Sequence, residues 1–221
     1  MKRIIILVFS MVSVIISQNI TATGNTRENS ETRYLFYLHG RIVEEQGADA
    51  FSEEYGPYKY NEIISTLDSI GYQVISEVRK KNCDPLDYAY KVKSQIDSLI
   101  NNGVDARNIT VLGASKGAFI VIQVSNLMQN KKINYVLLSI FSDRIFEILQ
   151  KTNVRLSGRI LYIYDYKDTI CGSGKDFIDE LKGENFSEFK EIELKMGLGH
   201  GILYKVYNEW LSPLQAWTKL K

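Results

Sequence analysis

From Tyr34 onward the chain alternates short, nearly continuous apolar runs with longer segments whose apolar residues recur every three or four positions. The first pattern suits strands covered on both faces, the second helices with one buried stripe. Strands are predicted over 34–38, 72–77, 109–112, 135–140, 160–164 and 189–195. Helices are predicted over 59–70, 85–101, 116–130, 143–150, 175–182 and 202–220. Stop signals sharpen several ends: Gly71 follows the first helix, Asn101, Asn102 and Gly103 the second, and Asp84 with Pro85 supplies a cap and a proline at the first helical position. The segment after Ser115 (Phe119, Ile120, Val121, Ile122, Val124, Leu127, Met128) is almost wholly apolar and is expected to be the most buried helix. The implied architecture is a three-layer α/β/α sandwich on a mostly parallel central sheet. No repeat or long linker interrupts the alternation, so residues 33–221 read as a single domain with no inserted lid.

The amino terminus breaks this pattern. Lys2 and Arg3 precede an apolar run from Ile4 to Ile16 that is short for a bilayer span and has the layout of a secretory signal peptide. Residues 1–17 are expected to be that signal, with cleavage as late as Ala22. Residues 18–32, rich in Asn, Thr, Ser and Glu, form a flexible leader. The expectation is a secreted or periplasmic protein without a stable membrane anchor after cleavage. Of the 27 basic residues, removing Lys2 and Arg3 leaves 25 against 26 acidic ones, a balance that supplies no field for nucleic acid or an anionic membrane. Only two cysteines, Cys83 and Cys171, occur. They allow one bridge in an oxidising compartment but exclude a disulfide scaffold or a cysteine-rich zinc site.

The strongest chemical signal is Ile109-Thr-Val-Leu-Gly113-Ala114-Ser115-Lys116-Gly117-Ala118, a buried strand entering a Gly-x-Ser-x-Gly turn and then an apolar helix. A nucleophilic serine needs this sharp strand-to-helix elbow, and the small residues Gly113 and Gly117 let the two backbone segments approach each other. The helix start adds positive potential and free amides beside the hydroxyl.

The chain has only two histidines, and both fall after predicted strands. His200, in Met196-Gly-Leu-Gly-His-Gly201, follows the last strand in a glycine-lined loop and is the candidate base. His39, in Leu38-His-Gly40-Arg41, lies upstream, where a His-Gly turn aims a backbone amide from Arg41 or its neighbour at a developing oxyanion together with that of Lys116. Between them, Tyr164-Asp165-Tyr-Lys-Asp168 offers two acids. Asp168, a few residues past the strand end, suits the role of orienting the histidine, and Asp165 is the alternative, better placed to brace the loop through backbone amides. Arg41, Glu44 and Glu45 charge the turn after His39. Together with His39 and Glu44, Tyr58 is a possible pocket residue, although a packed aromatic loop of Tyr55, Tyr58 and Tyr60 explains the same residues.

In this order of motifs, from Tyr34 to the carboxyl terminus, the sequence resembles the α/β-hydrolase superfamily. The His-Gly turn at 39–40, the elbow at 113–117, the acid loop holding Asp168 and the Gly-His-Gly loop at 199–201 correspond to that superfamily's oxyanion turn, nucleophile, acid and histidine. The resemblance implies serine ester hydrolysis through an acyl-enzyme, with Ser115, His200 and Asp168 as the triad and a small-molecule acyl substrate. Ala114 and Lys116 depart from the usual residues beside the serine, and no cap domain is recognisable. An acyltransferase using the same triad, or a catalytically silent binding protein, remains open on sequence grounds. No cofactor is expected, and isolated histidines give no metal-ligand spacing.

Overall fold

The computed structural model describes residues 32–219. The expected signal peptide and, apart from Thr32, the leader lie outside the described residues. No described helix is long and apolar enough to cross a membrane.

Six strands form the central sheet in the order β4-β1-β5-β6-β7-β8: β1 (Arg33–Leu38), β4 (Tyr72–Ile75), β5 (Ile109–Ala114), β6 (Asn134–Leu138), β7 (Leu156–Asp165) and β8 (Lys182–Leu194). Every neighbouring pair is parallel. A parallel sheet needs a crossover after each strand and a covered face on either side. The alternation along each strand provides it. In β1, Phe36 and Leu38 enter one core with Ile109, Val111, Tyr135, Leu137, Ile160 and Tyr162, packed beneath the helices α3 (Pro85–Asn101) and α4 (Lys116–Met128). Leu35 and Tyr37 enter the other with Leu112, Val136, Leu138, Leu161 and Ile163, against α2 (Tyr60–Ser69) and α7 (Asn208–Thr218). Each fully buried aliphatic side chain contributes about 1.5–3 kcal/mol, so the sheet gains stability from both faces. The three-layer expectation holds, and the sheet is parallel throughout.

The predicted start and end of α3 are those observed, because Asp84 accepts from the amides of Leu86 and Asp87 and Pro85 stands in the first turn. Elsewhere the pattern misled in physically clear ways. The final strand was expected over 189–195, but β8 starts at Lys182, directly after α6 (Lys175–Leu181). It is an edge strand with many half-exposed positions, and its charged residues, including Glu184, Glu188 and Lys190, mark a protected edge rather than a loop. The helix expected over 202–220 is instead a 3-10 turn, Gly199–Leu203, followed after a break by α7. The carbonyl of Tyr204 accepts the amide of Lys59 at 2.7 Å, which ties that break to the linker before α2.

Between β1 and α2, two small elements escaped the pattern altogether. One is α1 (Arg41–Gln46), and the other is a hairpin of β2 (Phe51–Ser52) and β3 (Gly56–Pro57). Six-residue and two-residue elements are too short to show a period. The expected option of a disulfide is not taken up: Cys83 and Cys171 are both free thiols.

Candidate active site

Ser115 sits between the end of β5 and the start of α4 with φ 51 and ψ −116, a conformation that costs a non-glycine residue about 1–3 kcal/mol and persists only where the surroundings impose it. Its amide continues the sheet by donating to Leu138 O at 2.9 Å, while its side chain makes no capping bond to the helix it precedes. The tight turn depends on two glycines. A Cβ on Gly113 would meet the Gly117 backbone at 2.5 Å, and one on Gly117 would meet the Leu38 carbonyl oxygen at 1.9 Å. Those distances forbid any side chain at either position.

The loop after β7 carries both candidate acids, and they separate cleanly. Asp168 Oδ2 accepts from His200 Nδ1 at 2.8 Å, and its Oδ1 accepts the amides of Ile170 and Cys171. Burial would raise the Asp168 carboxyl, but the hydrogen bond and charge of His200, the Ile170 amide and the nearby Ser139 hydroxyl outweigh it and hold the group below its ordinary range. Ser139 Oγ is itself buried without a hydrogen bond of normal geometry, so its share is a weak one. Asp165, fully buried, spends its oxygens on four backbone amides, those of Lys167, Met196, Gly197 and Gly199. It braces the acid loop against the histidine loop, the alternative role expected for it, and leaves Asp168 as the partner of His200.

With Nδ1 of His200 engaged by Asp168, Nε2 is the ring nitrogen left for a proton from a substrate or nucleophile. Ser115 and His200 open onto one cleft of about 500 Å³, which Lys116 and Arg41 also border. A Cβ on Gly40 would stand 3.9 Å from Ser115 Cβ, so the turn after β1 passes close beside Ser115. Arg41 is the first residue of α1 and Lys116 the first of α4. Amides at those positions have no acceptor within their own helices, and the two helix starts meet beside Ser115.

Three residues expected at the pocket lie beneath it instead. Glu44 is not a solvated charge at the mouth: its side chain is 2% exposed, with Oε2 3.2 Å from Arg79 Nε and Oε1 2.6 Å from Lys116 Nζ. Oε1 also accepts the Cys83 amide, and Lys116 Nζ donates to Cys83 O. Burial opposes the Glu44 charge, but its bonds to Lys116 and Arg79 prevail and keep the carboxyl low. Helix formation over 41–46 turns Glu44 inward, which a reading of residues 39–45 as an open turn could not anticipate. Tyr58 is buried, its hydroxyl 2.6 Å from that of Tyr37 and its ring against Tyr204. Burial pushes it up to about 12, even with the Tyr37 hydroxyl and the Gly40 backbone pulling the other way. Tyr58 therefore underpins the turn at Gly40 rather than lining the cleft.

His39 is also fully buried. Its Nδ1 is 2.8 Å from the Gly40 carbonyl, its Nε2 accepts the Arg79 amide at 3.0 Å, and its carbonyl accepts from the Arg79 guanidinium. Burial, followed by the Arg79 charge, lowers its pKa from 6.5 to about 4, so the ring is neutral at pH 7. Because the folded pKa lies below the unfolded one, the unfolded chain binds the extra proton between those values, and stability is lost as pH falls from 6.5 towards 4. Unfolding free energy is expected to drop by about 2 kcal/mol between pH 7 and pH 5. Denaturant titrations should show this drop in the wild type but not in His39→Gln.

Arg79, the hub of this buried network, was not singled out by the sequence. In Val78-Arg79-Lys80-Lys81 nothing local distinguishes it from its basic neighbours, and only the fold shows that it alone is enclosed. Cys171, which the sequence offers only as a possible disulfide partner, lines the cleft. Asp168, Cys171 and His200 are the group among the described residues whose ligand atoms, all within 4.8 Å of one another, could hold a metal ion. An ion there would have to displace the Asp168–His200 hydrogen bond and deprotonate a thiol that burial, aided by Asp168, pushes up to about 12. The donor set fits orientation of the histidine better than it fits a metal.

No protein-family profile matches this sequence, and no curated protein matches it. Solved structures do. SOBER1 of Arabidopsis thaliana superposes with a TM-score of 0.53 at 17% identity, over 85% of this chain and 98% of that one. A sugar hydrolase of Lactococcus lactis, YeeB, gives 0.56 at 11% identity over 86% and 90%. Est1E of Butyrivibrio proteoclasticus, solved with ferulic acid bound, gives 0.53 at 13% identity over 87% and 90%. At such identities the likeness speaks to architecture, and with the parallel sheet, the strained Ser115 elbow and the loops after β7 and β8 it leads to one statement: this chain has the α/β-hydrolase fold.

Proposed function

We propose that the protein is a serine hydrolase of carboxylic esters or related acyl bonds, a small member of its fold class without a cap domain. The single observation that carries the reading is the Asp168–His200 bond at 2.8 Å, in a loop pair that opens the histidine onto the same cleft as a strained, uncapped serine. Ser115 Oγ attacks the carbonyl carbon while His200 Nε2 takes the hydroxyl proton. The carbonyl oxygen, now carrying the charge, lies between the Arg41 and Lys116 amides at the two helix starts. Asp168 holds the ring in the tautomer that presents Nε2 and stabilises the imidazolium. Collapse expels the leaving alkoxide, which receives that proton from His200. Water, deprotonated by the same nitrogen, then attacks the acyl-enzyme and frees Ser115. No step needs a cofactor. Two of the structural neighbours carry matching names, an acetyl xylan esterase and Est1E, which agrees with ester chemistry without naming the substrate. The amino-terminal pattern favours action outside the cytoplasm, in a secreted or periplasmic setting.

The test is hydrolysis of 4-nitrophenyl acetate, butyrate and octanoate by the mature protein. Turnover that disappears in Ser115→Ala supports the hydrolase. Turnover that survives the substitution, or a folded wild type inactive on all three esters, counts against it.

A further inference from the structure

The walls of the Ser115 cleft have an uneven chemistry. Its apolar part is built by Phe119 of α4, Ile140 after β6, Ile170, and Ile145 and Ile148 from one face of α5 (Asp143–Lys151). Its charged part is cationic: Arg41, Lys116 and Arg144 border the cleft, and among the described residues no Asp or Glu does. Lys116 is paired with Glu44, which Arg79 shares. Arg41 and Arg144 are exposed, and among the described contacts neither guanidinium has an acidic partner. Four of the nearby carboxylates are engaged elsewhere. Glu44 serves Arg79 and Lys116, Asp168 serves His200, Asp84 caps α3 and Glu147 pairs with Lys151. In a chain whose charges nearly cancel, with 27 basic and 26 acidic residues, two arginines without an ion pair among the described residues, both on the lining of one apolar cleft that no acid lines, are a local asymmetry. Guanidinium groups are suited to carboxylate and phosphate because their planar donor fork matches both.

We propose that this site takes an ester with a short apolar segment ending in an anionic group, the apolar part lying along Phe119, Ile145 and Ile148 and the anion held by Arg41 and Arg144. The proposal rests on the hydrolase reading for turnover, but the anion grip is separable from it because it also governs binding. Two partly exposed guanidinium contacts together give a preference of about tenfold, and one that weakens as salt shortens the Debye length.

The experiment compares 4-nitrophenyl hexanoate with 4-nitrophenyl monoadipate, equal in carbon count and different in a terminal carboxylate, and with the matching ester ending in a phosphonate. kcat/KM is read at 20 mM and 500 mM NaCl for the wild type, Arg144→Gln and Arg144→Glu, and binding of the same esters to Ser115→Ala is read by calorimetry. The expected result is about tenfold higher kcat/KM for an anionic ester over hexanoate, with a preference that shrinks at high salt, falls in Arg144→Gln and reverses in Arg144→Glu. The ratio between adipate and phosphonate esters tells which anion the arginines prefer. Turnover with equal or better use of hexanoate overturns the anion grip and leaves the hydrolase standing. Tighter binding of the anionic esters to Ser115→Ala without turnover by the wild type keeps the grip and overturns the hydrolase. Failure to bind any of the three overturns the grip.

Discussion

Asp168→Asn is expected to lower kcat by about 10⁴-fold while the protein stays folded, the loss seen when an orienting carboxylate becomes an amide and the histidine is held in the wrong tautomer. The reason lies in what Asp168 Oδ2 does. It accepts the Nδ1 proton of His200 at 2.8 Å, and an asparagine in that place can offer its NH2 instead, which pushes the proton to Nε2 and removes the base. The other carboxylate oxygen accepts the Ile170 and Cys171 amides, and the amide oxygen of asparagine can keep those, so the loop survives. Asp165→Asn makes the contrast. Asp165 accepts four backbone amides with two oxygens, and one asparagine oxygen cannot serve them all. The substitution should cost stability, about 1–3 kcal/mol for each buried amide left unsatisfied, and reduce activity only as the two loops loosen. A kcat measurement paired with a urea midpoint separates the two roles, and equal kinetic losses from both substitutions would undo the assignment.

The second large effect is structural and belongs to Glu44. Glu44→Ala removes the counter-charge of Arg79, whose side chain is 0% exposed, and of Lys116. One guanidinium nitrogen of Arg79, Nη1, is buried without a partner even with Glu44 present. Breaking such a buried pair from one side costs about 3–5 kcal/mol, a large part of the 5–15 kcal/mol typical of a whole domain. The loss should appear as a lowered urea midpoint at unchanged m-value, whereas Glu45→Ala, at an exposed neighbour, should stay within about 0.5 kcal/mol of wild type. Because Glu44 ties α1 to the first residue of α4, the helix starts beside Ser115 should lose their alignment too, and kcat should fall more than KM changes. A midpoint for Glu44→Ala equal to that of Glu45→Ala would mean that the network contributes nothing.

What could be read from the sequence, and what could not, divides along the range of the contacts involved. The β5 to α4 elbow is legible because its determinants are consecutive: a buried run, two glycines that no side chain can replace and an apolar helix. The ends of α3 are legible for the same reason, since Asp84 and Pro85 act within one turn. The Asp168–His200 pair spans 32 residues, yet chain order and the strand-end positions of its members sufficed, because parallel strands deliver their carboxyl ends to one edge. Glu44, Arg79 and Lys116 meet across separations of 35 and 72 residues with no repeating pattern to connect them, so Glu44 read as a charged residue of the pocket mouth and Arg79 as one basic residue among several. Likewise, α5 was legible as a helix, but that Arg144, Ile145 and Ile148 line the same cleft as Ser115 is a consequence of where the crossover after β6 packs, which no local pattern encodes.

The proposed hydrolase needs Ser115 as its nucleophile, and the most direct measurement is exposure of the folded protein to a fluorophosphonate probe followed by peptide mass mapping. The expected result is one adduct, on the peptide containing Ser115, absent from Ser115→Ala and strongly slowed in His200→Gln. A folded wild type that takes no label, or takes it on another serine, would contradict the assignment of this site as a serine hydrolase.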